Sequence, residues 1–552
     1  MVHAMTHATF PIPGTVQQVD VNHNLRVRHG EGQKDIVLIP QPSSHPDDPL
    51  NWSFKRKTLN SFCQMAWCFF AAALISGLSP AYLLISKDTG ISVADLSTGN
   101  GIMYLFMGWG TLITQNLAQN WGRRPVLIIG MLGASLLTIW SAYVKSVGEW
   151  YANRVLIGIF MSPQEALIEL CISDVQFTHD RGFHMGIYNW TLWCGAFLAP
   201  IAGGFVADNL GWRWIQYILA IICVCVAIFI FFVFEETMFF RKANLNQEDF
   251  IPITESPPSS SVDAEKGMTD VEKGLNNPKV EVDISSTPAS SGTLSAKTYA
   301  QKLKLWGLRS PEQPYTFLRS IYLSFRLLLF PTHIFSGLLV GCILAWYNVL
   351  GGSLAEVLGG APYNFTTDQI GLTYFASVIG VSVGCYCSGW LSDILAIRLA
   401  RRRQGIKEPE DRLWMAVIAV VAHPLGCLLY GVGASHHIHW IGVVIGVAFL
   451  CLTLPMGSGL AITYIIDSQK ELAGESIVTI ILIRNTIGFA FAYAVNPMID
   501  NIGLQNTFIL IAVLGVLFWC GCFLWIGVGK SARKLIAEPY WTIVRKHGLA
   551  AH

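Results

Sequence analysis

Three charged residues stand inside one apolar run: Arg154, Glu165 and Glu169. Glu165 follows Arg154 by eleven residues, roughly three helical turns, and Glu169 comes one turn later, so a helix would carry all three on one broad stripe. An unpaired charge at membrane depth is expensive, so these groups should face a wet cavity or one another. A carboxylate so placed can take up and release a proton, which makes Glu165, with Arg154 and Glu169 beside it, a candidate for proton coupling. The competing reading is a neutralised pair that only packs. Later apolar runs hold Tyr347 and Asn348, then Tyr464, then Arg484 with Asn485. Polar and aromatic groups at that depth either line a cavity for a small molecule or bond helix to helix. Arg484 must pair with a carboxylate or face an anionic ligand, and both options stay open.

Positioning such groups takes membrane-crossing helices. Of 552 residues, 52% are hydrophobic and only 13% are charged, and the mean hydropathy is +0.46, too apolar for an ordinary soluble chain. Apolar runs of about twenty residues fall near 59–86, 99–119, 125–145, 150–172, 183–207 and 213–234. After a gap, more fall near 331–358, 369–392, 412–434, 440–466, 476–499 and 505–529. The expected fold is therefore all-α and polytopic, with twelve crossings in two six-helix bundles, 59–240 and 331–529. Around them lie an N-terminal tail (1–58), a linker (241–330) and a C-terminal tail (530–552). Arg123, Arg124, Arg181, Arg241, Lys242, the Arg398 to Arg412 cluster and Lys530, Arg533 and Lys534 share one side, which places both chain ends in the cytosol. No basic-then-apolar leader opens the chain, so the first crossing should direct its own insertion.

Residues 243 to about 312 are rich in Ser, Pro, Asp, Glu and Lys and should stay flexible. From Tyr315 to Leu329 apolar and basic residues alternate at helical spacing, as in a helix lying on the inner membrane surface. Asn364-Phe365-Thr366 is a glycosylation sequon in a predicted outer loop. The thirteen cysteines sit almost wholly in apolar runs and read as packing residues. His436, His437 and His439 lack a carboxylate or Cys at ligand spacing, so no metal site is expected, and His423 is a secondary candidate for proton exchange. A net charge of +1 without a basic, aromatic stripe argues against nucleic acid as a partner. Walker-type nucleotide loops and membrane-enzyme His boxes are missing from the sequence, so neither direct ATP drive nor catalysis is expected.

Several motifs narrow this further. One turn reads Leu117-Ala118-Gln119-Asn120-Trp121-Gly122-Arg123-Arg124-Pro125, and the matching place in the second half reads Gly389-Trp390-Leu391-Ser392-Asp393. Arg154 opens Arg154-Val-Leu-Ile-Gly158. Gly186, Gly195, Pro200, Gly203 and Gly204 mark a run in which small residues recur at four-residue spacing, so that a neighbouring helix can approach closely and Pro200 should bend the chain. Together with Asp47 to Trp52, Asp174 to Gly182, Gly211 to Trp214 and Glu408 to Leu413, these resemble the major facilitator superfamily, in particular fungal drug:proton antiporters with twelve crossings. The departures are Gln119 for Asp, Gln115 for Gly and Ala199 for Gly. The resemblance implies that Gly122, Arg123, Arg124, Asp174, Asp393 and Asp467 belong to a gate on the cytosolic side. There Arg123 or Arg124 and the Arg398 to Arg403 cluster would reach Asp174 and Asp467. It also associates Arg154 with proton handling and the Gly186 to Gly204 run with antiport.

The expected protein is a proton-coupled secondary transporter, a monomer in the plasma membrane. It would move a small organic molecule by alternating access between the bilayer's two sides, driven by the proton gradient with no cofactor. Export of a drug or secondary metabolite is the leading reading. Import of a polyamine, another cation or a small nutrient is the alternative, and a non-transporting sensor on the same fold a third.

Overall fold

Breaks in the apolar pattern set where each helix stops. A computed structural model describes residues 10–17, 29–30, 33–37, 43, 45–177, 180–239, 298–305 and 317–547. The first crossing is α1 (Phe54–Ser76), extended by α2 (Tyr82–Thr89), and it is followed by α3 (Val93–Trp121) and α4 (Arg123–Ser141). The fourth is split into α5 (Val147–Met161) and α6 (Pro163–Val175), and α7 (Arg181–Leu210) and α8 (Trp212–Val233) complete the first half. Two short helices, α9 (Tyr299–Leu303) and α10 (Phe317–Leu327), precede the second. That half comprises α11 (Pro331–Gly359), α12 (Thr367–Tyr386) continued by a π-helical turn and α13 (Ser392–Arg402), α14 (Ala416–Cys427) with the short α15 (Gly433–Ser435), α16 (Trp440–Ser468) and α17 (Ala473–His547). The last run breaks at Gly503, where φ is +80°, and so makes two crossings.

Eleven of these segments are by length and composition able to cross a membrane among the described residues. The remaining crossing, α3, is 29 residues long but diluted by Thr111, Gln115, Asn116 and several glycines, which are buried against other helices, chiefly α5 and α17. The helices overshoot the expected spans where they leave the apolar layer. The run expected to end at 392 continues as α13 to Arg402, its basic last turn complementing the helix C-terminus.

Glycine makes the sharpest reversals. Gly122 (φ +104°) joins α3 to α4 and Gly211 (φ +91°) joins α7 to α8, a backbone shape that side chains with a Cβ rarely adopt. Within the Gly186 to Gly204 run, Gly195 and Gly203 lie against α1 and its capping residue Gly77. A methyl group on Gly195 would strike the Phe69 carbonyl, and one on Gly203 the Gly77 carbonyl, so the two backbones touch. The helix runs from Arg181 to Leu210 with Pro200 inside it and Gly204 buried.

The halves meet along α7 with α12, α3 with α17, and α16 with α7. Two short ladders lie outside the bundles: β1 (Val16–Gln17) and β2 (His29–Gly30) pair antiparallel with β4 (Ile406–Lys407) and β3 (Gln33–Val37), respectively. Trp541 donates to the Pro11 carbonyl at 2.7 Å, so both ends of the described chain share one face, called the terminal face below.

Most of the linker expected to be flexible lies outside the described residues. Within it α9 is helical, closed by a capping box of Thr298 and Gln301, and Lys302 pairs with Glu235 at 3.0 Å. In α10 Leu323 and Leu327 are buried while Leu318, Tyr322 and Phe325 are exposed, a helix with one face packed on the protein and the other free of it. All thirteen cysteines are free.

Candidate substrate cavity and gate

Pro163 stands two residues before Glu165 in the fourth crossing. Lacking an amide hydrogen, it breaks the fourth crossing, and the Ser162 hydroxyl donates instead to the Ile159 carbonyl at 2.7 Å. The break separates the stripe expected to join Arg154 to the two glutamates. Arg154 turns into the first half, donating to Ser141 Oγ at 2.8 Å with its guanidinium 3.8 Å from the Trp150 ring centre. Glu169 is buried against Tyr188, its Oε2 without a hydrogen-bond partner among the described residues.

Glu165 reaches the other half, where its Oε2 pairs with the Arg484 guanidinium of α17. Of the two options left open for Arg484, the structure takes the carboxylate. Arg484 also donates from Nε to Asn485 Oδ1 at 2.8 Å, and Asn485 itself is buried against Gly108 of α3.

The pair walls a cavity of about 580 Å³ between the halves, which Tyr104, Trp193, Tyr347 and Ser458 also line. Tyr347 stands edge-on to Trp193 at 5.2 Å and to Phe197 at 5.9 Å. It also borders a second space of about 520 Å³, lined by Ser76, Ser79, Tyr82, Asn100 and Asn348. Because α1 starts at the terminal face and ends at Ser76, this chamber lies toward the opposite face. Asn348 keeps one amide bond to the Gly488 carbonyl at 3.0 Å. Tyr464, expected in the cavity, is instead fully buried inside the second half, where its hydroxyl accepts from Trp525 Nε1 at 2.8 Å. His423 is likewise packed inside that half, against Trp346 and beside the Ile511 carbonyl at 3.3 Å. Asn364 is exposed in the loop after α11.

At the terminal face the two halves close on one another. Gly186 and Gly389 pack backbone to backbone, a Cβ on the first standing 3.2 Å from the Cα of the second, and Gly182 lies against the Asp393 carboxylate. Gly389 sits in the π-helical turn Cys387–Leu391, the kind of helix irregularity found at functional sites. Arg412 binds Asp393 at 2.6 Å and Asp467 at 3.3 Å, and Lys407 binds Asp467 at 3.1 Å. From the first half, Arg181 stands 3.9 Å from Asp467. Lys407 is buried, and this burial pulls its ammonium below the usual lysine range, with Asp467 opposing the shift.

One sequence expectation is corrected here. The Arg398 to Arg403 cluster does not hold Asp467: Arg403 turns to Glu408 at 3.2 Å and Asp411 at 2.8 Å. Asp467 is held by Lys407, Arg412 and Arg181; the sequence places Arg181 and Arg412 on the cytosolic side and inside resemblance motifs, but does not assign them to Asp467.

Asp174 pairs with Arg123 within the first half. The backbone amides of Arg123 and Arg124 both donate at 3.0 Å to Glu236, and the Arg124 guanidinium bonds the carbonyls of Phe231 and Lys302. Glu236 was missed; the signal was an acidic pair directly after the sixth apolar run. Its neighbour Glu235 takes Arg56 at 2.6 Å. Burial alone would raise the Glu235 carboxyl pKa, but Arg56 and Lys302 bring it below the usual range.

Two six-helix halves around a cavity, joined across it by an ion pair and closed at one face by a second set of charges, define a two-bundle membrane carrier. The chain belongs to the Major Facilitator Superfamily, whose model matches residues 65–493. It is similar to an MFS-type transporter of Schizosaccharomyces pombe, 29% identical over 97% of this chain and 94% of that one. Protein HOL1 of Saccharomyces cerevisiae is 27% identical over 87% of each chain. The MFS antiporter QDR3 of Candida albicans is 24% identical over 86% of this chain and 78% of that one. Among solved structures, the proton:xylose symporter XylE bound to 6-bromo-6-deoxy-D-glucose shares the fold, with a TM-score of 0.56 at 12% identity over 86% of this chain and 97% of that one.

Proposed function

We propose that this transporter exports a small organic molecule in exchange for protons, by alternating access across the plasma membrane with both chain ends in the cytosol. The observation that carries the reading is the Glu165–Arg484 pair, which crosses from one half to the other on the wall of the cavity. A proton on Glu165 cancels its attraction for Arg484 and unties the halves at that point. Loss of the proton restores the pair, so proton occupancy and the state of the cavity are linked. The substrate competes for the same wall, where Tyr104, Trp193 and Tyr347 offer flat apolar surface.

Exchange is favoured over co-transport by the small-residue stripe of α7, seated on α1, and by the likeness to a relative described as an antiporter. With Glu165 already matched by Arg484, the cavity holds no spare carboxylate among its described lining residues, which disfavours uptake of a bare cation.

The test uses proteoliposomes with a pH dye inside, loaded in turn with spermidine, rhodamine 6G or a hexose. For whichever compound shows counterflow, its outward gradient should acidify the lumen, as antiport requires. Alkalinisation would make the protein a symporter, and no pH change would remove protons from the mechanism. Glu165→Gln should abolish the pH change and keep counterflow.

A further inference from the structure

Residues Phe10 to Gln17 lie across the terminal face of the second half, on partners hundreds of residues away in the chain. Trp541 donates to the Pro11 carbonyl at 2.7 Å, and the Arg545 guanidinium lies 5.2 Å from the Phe10 ring centre. Arg533 is fully buried; it grips Glu410 at 2.8 and 2.7 Å and donates to the Pro13 carbonyl at 2.7 Å and the Thr15 hydroxyl at 3.1 Å. Gly14, at φ +82°, rests on the last turn of α16: a Cβ there would stand 2.6 Å from Ser468 Cα and 2.8 Å from the Asp467 carbonyl oxygen. Val16 then pairs with Lys407 and Gln17 with Ile406. The segment is thus a strand added to a short edge, with Pro11 and Pro13 limiting the entropy lost on docking.

We propose that this segment is a strap that lowers the cost of opening the terminal-face gate, by holding Lys407 in place as a counter-charge for Asp467. The proposal rests on reading Arg181–Asp467 as a gate contact. Arg412 comes from the 3₁₀ helix Pro409–Met415 and Arg181 from α7, but Lys407 comes from a two-residue strand whose only ladder partner among the described residues is β1. Without the strap nothing in the ladder fixes that strand.

The sign follows from the charges facing Asp467. Asp393 and Asp467 face Lys407 and Arg412, all within the second half, so Asp467 keeps both cations when Arg181 departs with the first half. If Lys407 swings out, opening strips Asp467 of a second partner, while in the closed state Arg181 no longer shares the carboxylate with a neighbouring ammonium. Both effects favour closure. Lys470 is also within reach of Asp467, but it stands in the same half and does not change the comparison.

Hydrogen exchange in nanodiscs, read on the peptides covering 181–190 and 386–393, tests this on the full chain, a variant lacking residues 1–17, and Gly14→Val, which keeps the whole chain should truncation impair folding. The strapless and Gly14→Val proteins should exchange severalfold more slowly at this seam, because opening then leaves Asp467 with one partner fewer. Adding a synthetic peptide of residues 8–18 to the truncated protein should reverse the change. Arg181→Gln should speed exchange at the same peptides. Seam exchange that is unchanged or faster without the strap, while Arg181→Gln speeds it, overturns the strap and leaves the gate. Failure of Arg181→Gln to move the seam overturns the gate and the strap with it.

Discussion

Glu165 and Arg484 are chemically unequal partners, and this makes their pair testable one residue at a time. Removing Arg484 leaves a carboxylate that can neutralise itself by taking a proton. Removing Glu165 leaves a guanidinium that stays charged at any physiological pH. Breaking a buried pair costs about 3–5 kcal/mol when the survivor stays charged, so Glu165→Gln should lower the melting temperature clearly more than Arg484→Gln. The double variant should recover most of the loss. Equal losses for the two single variants would mean that the pair is not buried in the native state. That charged residues stood at membrane depth was legible in the sequence; their pairing was not. Helical periodicity relates residues within one rod, and here Pro163 interrupts the rod between Arg154 and Glu165 while the partner sits on a helix of the other half. Tyr464 shows the same limit, since a tyrosine at mid-depth reads alike whether it lines a cavity or bonds a Trp.

The elements themselves were far more legible, because twenty apolar residues in a row have few other uses. Only α3 falls below that pattern, and it does so because its polar and glycine positions face protein instead of lipid. Among the helix contacts, the seam of α7 against α1 is the one most exposed to single substitutions. Gly195 and Gly203 touch carbonyl oxygens of α1, which cannot rotate away as a side chain would, whereas Ala199 meets Gly77 at ordinary distance, 3.8 Å from a Cβ built there. Gly195→Val should therefore cost on the order of 1–3 kcal/mol, the usual penalty for overpacking, and reduce the monodisperse yield in detergent. Ala199→Gly, which restores the spacing of the resemblance motif, should leave the yield near wild type. The comparison separates close packing from helix propensity, since glycine is the poorer helix former in both positions.

At the scale of the whole molecule, the two halves were legible as a gap in the apolar pattern and a repeated turn, but which charges meet across them was not. Asp467 carries that information. The second half neutralises it internally through Lys407 and Arg412, and the first half adds Arg181 at a looser 3.9 Å. A contact meant to break in each cycle has to be weaker than those that hold a half together, and these distances run in that order. Two substitutions at one ion-pair set should then separate gate from fold. Arg181→Gln leaves Lys407 and Arg412 on Asp467 within the second half, so its melting temperature should stay near wild type while the terminal face opens more often. Asp467→Asn leaves Lys407, Arg412 and the nearby Lys470 with Asp393 alone to offset them, and should lower the melting temperature sharply, in line with about 3–5 kcal/mol for a broken buried pair. Thermal unfolding of the two variants, read beside hydrogen exchange at the Gly186–Gly389 seam, decides the matter. If both variants lose stability alike, Arg181 belongs to the permanent structure and the gate must lie elsewhere.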